Sequence, residues 1–451
     1  MTHLPWRMGA LPGVTAHLAR VNADLVAGFS CVWWLPDHLT RQSEVDDLLA
    51  EVLVGQDCVV VPGVEDDAWR AAPSVSPRPV LVTSADDGET PEWARNELDL
   101  SELFADIDPT PVTSFPRAFA PDVVSLPERI AEAVGDMSDL GDDPVATLTS
   151  WPALRGKLVV VRAWREPDRD TLRGVLVRLP AAGKEHGLAS AERPRLLVVA
   201  RVDDLPDVRG RIDPMTTREH WWWGVLGRLD TAVVVASVRP RAVGSGAAEL
   251  RELVAREVIA EVAGPDLGLA EHLAMTWNGR MAGLPDAVRG FPCKQITVRA
   301  DPGRGRDRPP NETRSAWNEG AADLWERQIR VSPAAVPDPP VQTLAWRGQH
   351  RALMPVIDEE RAALERIFRA RASMAVLAEV VQQRGREVPE STLVRATLEL
   401  GPMCWAAETS RVRLSTSDRQ RLFRLRDARN ALAHLRPLDD DELDHLASVV
   451  G

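Results

Sequence analysis

The chain of 451 residues contains no tyrosine and only three lysines, Lys157, Lys184 and Lys294, although 54 of its residues are Lys or Arg. Such usage matches a GC-rich bacterial genome rather than selection for arginine, so a run of arginines is not in itself a sign of function. The four cysteines, Cys31, Cys58, Cys293 and Cys404, lie far apart with no C-x-x-C spacing. That excludes a zinc ribbon or a disulfide framework and leaves them as small apolar residues. No apolar run approaches the roughly 20 residues needed to cross a bilayer. The start, Met-Thr-His-Leu-Pro-Trp-Arg, has no signal-peptide form, and the expected compartment is the cytoplasm with no membrane partner. A net charge of −13 argues against wholesale wrapping of nucleic acid. What remains is 44% hydrophobic, near the globular norm, and long enough for two to four domains.

Apolar runs predict strands at Phe29–Leu35, Asp57–Val61, Pro79–Thr83, Leu158–Trp164, Gly174–Leu179, Leu196–Val202 and Ala232–Val238. Several are continuous rather than alternating, as strands covered on both faces would be. Helix-period segments lie between them at Val14–Ala27, Val124–Val134, Arg218–Leu229 and Ala247–Val262. The alternation predicts a layered α/β domain over residues 1–300 with a mainly parallel sheet. Residues 84–121, acidic and Pro-bearing, read as an insertion or surface loop. Residues 301–340, with Pro- and Gly-dense stretches at Asp301–Arg314 and Ser332–Pro340, read as a linker region. Beyond it, residues 341–451 form an all-α bundle, with helices near Val341–Arg351, Asp358–Arg371, Ala372–Arg384, Thr392–Glu408 and Asp418–Leu435.

Gly9-Ala-Leu-Pro-Gly13-Val14-Thr15 runs into an amphipathic helix, a Gly28 cap and the strand Cys31-Val-Trp-Trp-Leu. This order resembles the P-loop, first helix and second strand of STAND and AAA-type NTPases, which implies nucleotide contacts at Gly9, Gly13 and Thr15. Arg195-Leu-Leu-Val-Val-Ala-Arg-Val-Asp203-Asp204 is similar to the Walker B strand of that family, with Asp203 and Asp204 as its acidic end. The pattern departs from the family in lacking the P-loop lysine and a preceding strand. An inactivated STAND-like module that regulates the C-terminal helical domain is the expectation, with no ATP hydrolysis and no cofactor implied. His220-Trp221-Trp222-Trp223 suggests a stacking platform, but consecutive helical residues point in different directions, which favours core packing.

The residues that look most like chemistry close the chain. On an ideal helix Arg426, Arg429, Asn430 and His434 fall within an arc of roughly 140°, apart from the face of Leu425, Ala428, Leu432 and Leu435. Arginine grips a phosphate bidentately, and imidazole as a class exchanges protons near neutrality. Ser417-x-x-Gln420 reads as a capping box, and Arg411 to Arg436 holds eight arginines, among them Arg424 and Arg426 as RNA-contact candidates. Arg429-Asn430-x-x-x-His434 resembles the R-x(4–6)-H motif of the HEPN superfamily, over about the last hundred residues. The resemblance implies a metal-independent ribonuclease with Arg429, Asn430 and His434 catalytic. It implies a homodimer or partner protein that completes the cleft, and a setting such as phage defence. A non-catalytic adaptor that binds partners through both modules stays open beside it, as does a solvated polar helix face.

Overall fold

The computed structural model describes residues 6–41, 44–63, 124–135, 140–206, 208, 210–239, 244, 246–296, 307–381 and 389–450. The strand expected at Pro79–Thr83 and the insertion at 84–121 lie outside them. In chain order the elements begin with α1 (Pro12–Val26), β1 (Ser30–Trp34), α2 (Asp37–Thr40), α3 (Glu44–Val52) and β2 (Cys58–Val60). Then come α4 (Leu126–Val134), α5 (Pro144–Ser150), β3 (Leu158–Arg162), α6 (Arg169–Glu185), β4 (Arg195–Ala200) and β5 (Thr217–Trp221). Helices α7 (Arg228–Val238), α8 (Gly246–Ala263), α9 (Leu267–Thr276), α10 (Leu284–Arg289) and α11 (Asn311–Asn318) lead to a hairpin of β6 (Ala322–Trp325) and β7 (Gln328–Val331). The last part holds α12 (Val341–Arg371), α13 (Met374–Val381), α14 (Glu390–Arg395), α15 (Leu400–Glu408), α16 (Thr416–Ala433) and α17 (Asp440–Val450).

The protein is α/β with a helical C-terminal region. Five parallel strands run in the order β2-β3-β4-β1-β5. Every residue of β1 is buried, as expected of a central strand covered on both faces. Helices α1 and α3 pack together beside β1, and α4, α5 and α6 form a second group over β2 and β4. Cys31 and Cys404 are buried and Cys58 and Cys293 half-buried, all as free thiols.

Three expected elements are corrected. Gly174–Leu179 lies inside α6, where Leu172, Val175, Leu176 and Leu179 make a helical stripe and Asp168 caps the start by accepting from Thr171 N. Ala232–Val238 is the end of α7: its valines suggest a strand, but Thr231, Val234 and Val235 bury one helical face and Asp230 closes the first turn onto Gly227 N at 2.6 Å. Conversely Arg218–Leu229 begins as β5, because Thr217–Trp221 pairs along β1 and buries Thr217 and Trp221 on either side of a polar middle. All three indoles of Trp221–Trp223 are buried.

The expected linker is also corrected in part. Residues 311–335 are built into the fold: Trp317 is buried and donates to Trp222 O at 2.7 Å, Asp323 accepts from Gly224 N at 2.8 Å, and Ser332 donates to Asp266 at 2.7 Å. Pro310 precedes the first turn of α11, and Pro333 opens a 3-10 turn. The segments expected at Val341–Arg351 and Asp358–Arg371 are one 31-residue helix, α12, with Pro355 on its exposed face. The segment Thr392–Glu408 divides into α14 and α15.

Helix α12 lies along α8, and α17 also rests on α8, so one apolar core runs from the sheet into the C-terminal helices. Polar contacts fasten the same seam. Asp440 accepts from Met281 N and Ala282 N at 2.8 and 3.2 Å, and Arg251 pairs with Asp444 at 2.7 Å. Gln349, fully buried, exchanges two hydrogen bonds with the backbone of Leu438. Among the described residues no helix is long and apolar enough to cross a membrane.

Candidate functional site

Helix α16 begins two residues earlier than the capping box at Ser417 suggests. Ser415 is the N-cap, its hydroxyl accepting from Asp418 N. The buried side of the helix changes along its length. Leu422 and Leu425 are covered in the first half, where Cys404 of α15 reaches Leu422 O; Ala428, Ala431 and Leu432 are covered in the second. Trp346 of α12 donates its indole N–H to Leu432 O at 2.7 Å, which fixes the last turn against the long helix.

At that turn Arg429, Asn430 and His434 are all exposed and share one face. Arg429 meets Glu399 at 3.7 Å, both side chains about half in solvent, a pair of little energy that a phosphate could displace. His434 is the C-cap, its N–H shared between Asn430 O and Ala431 O. Leu435, expected on the packing face, is instead 66% exposed in left-handed conformation, φ 59°. Its N–H donates to Leu432 O and that of Arg436 to Ala431 O, the bonds of a Schellman motif that ordinarily has glycine at this place. Arg436 then grips Glu442 with two bonds of 2.8 Å, tying the turn to α17.

Arg426 falls within the same angular arc but is less exposed than Arg429, Asn430 and His434. It is half-buried under α15, paired with Glu408 at 3.2 Å and Asp427 at 2.9 Å, with its guanidinium over Phe423. Arg424 is half-buried on another side and makes no ion pair among the described residues. Of the eight arginines, Arg411 and Arg421 are likewise paired, with Glu379 and Glu360. The basic excess of this stretch is therefore largely answered by carboxylates from other helices. The Arg429–His434 face is the end of a helix, open to solvent, rather than the floor of a cleft.

The five residues of the nucleotide-like reading are not brought together as a phosphate site. A P-loop joins the end of a strand to a helix; Gly9–Thr15 follows no strand among the described residues, and Gly9 sits in a single 3-10 turn. Gly13 N donates to Asp230 Oδ1 at 2.8 Å, while Gly227 N donates to the other oxygen. The start of α1, where a phosphate would lie, is thus closed by the protein's own carboxylate. Thr15 donates to Gly9 O at 2.9 Å. The segment that does leave strand β1 is Leu35–Arg41, which contains α2 and has neither glycine nor lysine.

Asp204 is fully buried and spent on Arg201, taking its backbone N–H and three guanidinium contacts from Arg201 and Arg169 between 2.9 and 3.6 Å. Asp203 is exposed beside it. Burial, countered by Arg201 and Arg41, raises the carboxyl pKa of nearby Asp37 above its ordinary value, with Asp203 and Asp204 adding to the rise. Among the described residues no three His, Cys, Asp or Glu side chains are grouped as a metal ion would need. Asp230 escapes sequence reasoning because its partner Gly13 is 217 residues away. Comparison with family models, with curated proteins and with solved structures finds no match to this chain.

Proposed function

We propose that the chain is a metal-independent RNA-cleaving effector of HEPN type, acting in the bacterial cytoplasm and regulated by an α/β part of STAND-like descent whose P-loop-like segment no longer holds a nucleotide. A defence system against phage is the setting this reading fits. The observation that carries it is the single exposed face shared by Arg429, Asn430 and His434 on the last turn of α16. His434 takes the proton of a ribose 2′-hydroxyl. The freed oxygen attacks the adjacent phosphorus, Arg429 holds the developing charge, and Asn430 orients the phosphate. A 2′,3′-cyclic phosphate and a 5′-hydroxyl end result, the leaving oxygen taking a proton from a second acid.

An open helix face offers only one side of a cleft. In this proposal a second copy of the chain, or a partner protein, supplies the other side and the second acid. The test is a gel assay of purified protein on total RNA and transfer RNA with EDTA present, parent beside His434→Ala. Cleavage by the parent and none by the variant supports the reading; equal cleavage by both overturns it. The adaptor reading gains from an inert parent that still captures a partner protein.

A further inference from the structure

Between the β6–β7 hairpin, α8 and α12, four arginines converge on one carboxylate. Glu261 is 1% exposed. Arg228 binds it directly and also holds Glu257 at 2.8 Å, and Arg330 reaches it at 3.2 Å and caps its carbonyl. These two inner arginines satisfy the buried charge and join the hairpin to α8, so the structural role is complete with them. Arg347 and Arg351 stand off at 3.9 and 3.6 Å, too far for hydrogen bonds, and their side chains are 40% and 47% exposed. Arg351 leans on the half-exposed Glu326 at 2.9 Å; Arg347 makes no hydrogen bond among the described residues.

These outer arginines line an open cleft of about 540 Å³ whose walls include Trp346, His350 and Trp325. The size suits a small organic ligand. Four arginines against Glu257, Glu261 and Glu326 leave one positive charge unanswered, with His350 alongside. The rings of Trp346 and His350 lie 5.6 Å apart on one turn of α12, and the Trp346 indole is held in place by its bond to Leu432 O. The Trp325 indole N–H and Arg330 Nε are buried here without a hydrogen-bond partner among the described residues.

Arg347, with no hydrogen-bonded carboxylate, and Arg351, whose close pair is the half-exposed Glu326, stand next to fixed aromatic faces, the chemistry that recognises a phosphate joined to a planar base. We propose that this cleft binds a free nucleotide, its phosphate on Arg347 and Arg351 and its base against Trp346 and His350. The assignment is independent of the ribonuclease reading, and it lies far in the chain from the Gly9–Thr15 segment that resembles a P-loop. Through Trp346 and Leu432 the occupied cleft would touch the turn that carries His434.

Calorimetric titration of the full chain with AMP and ATP tests it. Binding is expected in the micromolar range, weakened at least tenfold by Arg347→Glu and by Arg351→Ala, competed by millimolar inorganic phosphate, and unchanged in His434→Ala. Circular dichroism of each variant establishes that the fold survives, which the loose tethering of Arg347 favours. No binding by the parent at millimolar nucleotide, or equal binding by the Arg347 and Arg351 variants, overturns the proposal. So does loss of binding in His434→Ala, which would move the site to α16. Binding of an RNA oligomer but of neither nucleotide would make the cleft part of an RNA path and overturn the free-nucleotide assignment.

Discussion

Gly348 of α12 presses directly on the backbone of α8: a Cβ at this position would lie 2.6 Å from Val258 Cα and 2.8 Å from Val258 N. Neither atom belongs to a side chain that could swing away, so the closeness of the two helices depends on a residue without a Cβ. This contact joins the α/β part to the helical region, so the two are held by a helix–helix seam and not by residues 301–340 alone.

Gly348→Leu should therefore force α12 off α8 and expose the seam, costing about 3 kcal/mol or more. Limited proteolysis between residues 297 and 340 should become faster, and urea unfolding should shift to lower denaturant. An unchanged midpoint and cleavage pattern would show that the helices have room the structure denies them.

Asp230 joins the starts of two helices through Gly13 N and Gly227 N, with its side chain buried. Asp230→Ala leaves both N–H groups unanswered and should cost about 2–3 kcal/mol by chemical denaturation. Because that carboxylate occupies the start of α1, the parent should show no ATP turnover assignable to Gly9–Thr15. Hydrolysis that disappears on substituting Gly13 or Thr15 would refute this.

Leu435 holds a left-handed conformation that costs an L-residue roughly 1 kcal/mol, and its side chain is mostly in solvent. Leu435→Gly should thus stabilise the protein by about 1 kcal/mol, against the usual loss on introducing glycine. Calorimetry gives the sign directly. A destabilised variant would mean that the leucine side chain makes a contact worth more than the strain.

His17 is 2% exposed and accepts the indole N–H of Trp33 at 2.9 Å, with Trp222 and His220 packed on its ring. Burial, helped by the charges of Arg20 and His220, lowers its pKa from 6.5 to about 3. Unfolding lets the imidazole bind a proton between those values, so its contribution to stability is whole above pH 6.5 and declines as pH falls toward 3. His17→Gln keeps an acceptor for Trp33 but cannot titrate in this range. The stability difference between parent and variant should accordingly shrink as pH falls from 7 to 4.5. Taking the difference removes the opposite trend from Asp323, whose pKa burial raises to about 7. Parallel pH profiles would sink the assignment.

Much of this fold was legible in local pattern. Continuous apolar runs at Phe29–Leu35, Leu158–Trp164 and Leu196–Val202 announce buried parallel strands, because no side of a central strand meets water. The separation of Arg429, Asn430 and His434 from Ala428 and Leu432 follows from helical geometry alone. Where pattern misled, the deciding partner was distant in the chain. The valines of α7 became helical because Asp230 closes their first turn and Thr231, Val234 and Val235 find a core. Thr217–Trp221 became a strand because β1 offers it an edge. Periodicity also could not foresee that Leu435 turns outward, that Asp230 fills the start of α1, or that Arg347 and Arg351 gather beside Glu261 from α8. A sequence specifies which face of an element is apolar; which carboxylate, edge or helix meets that face depends on packing across hundreds of residues.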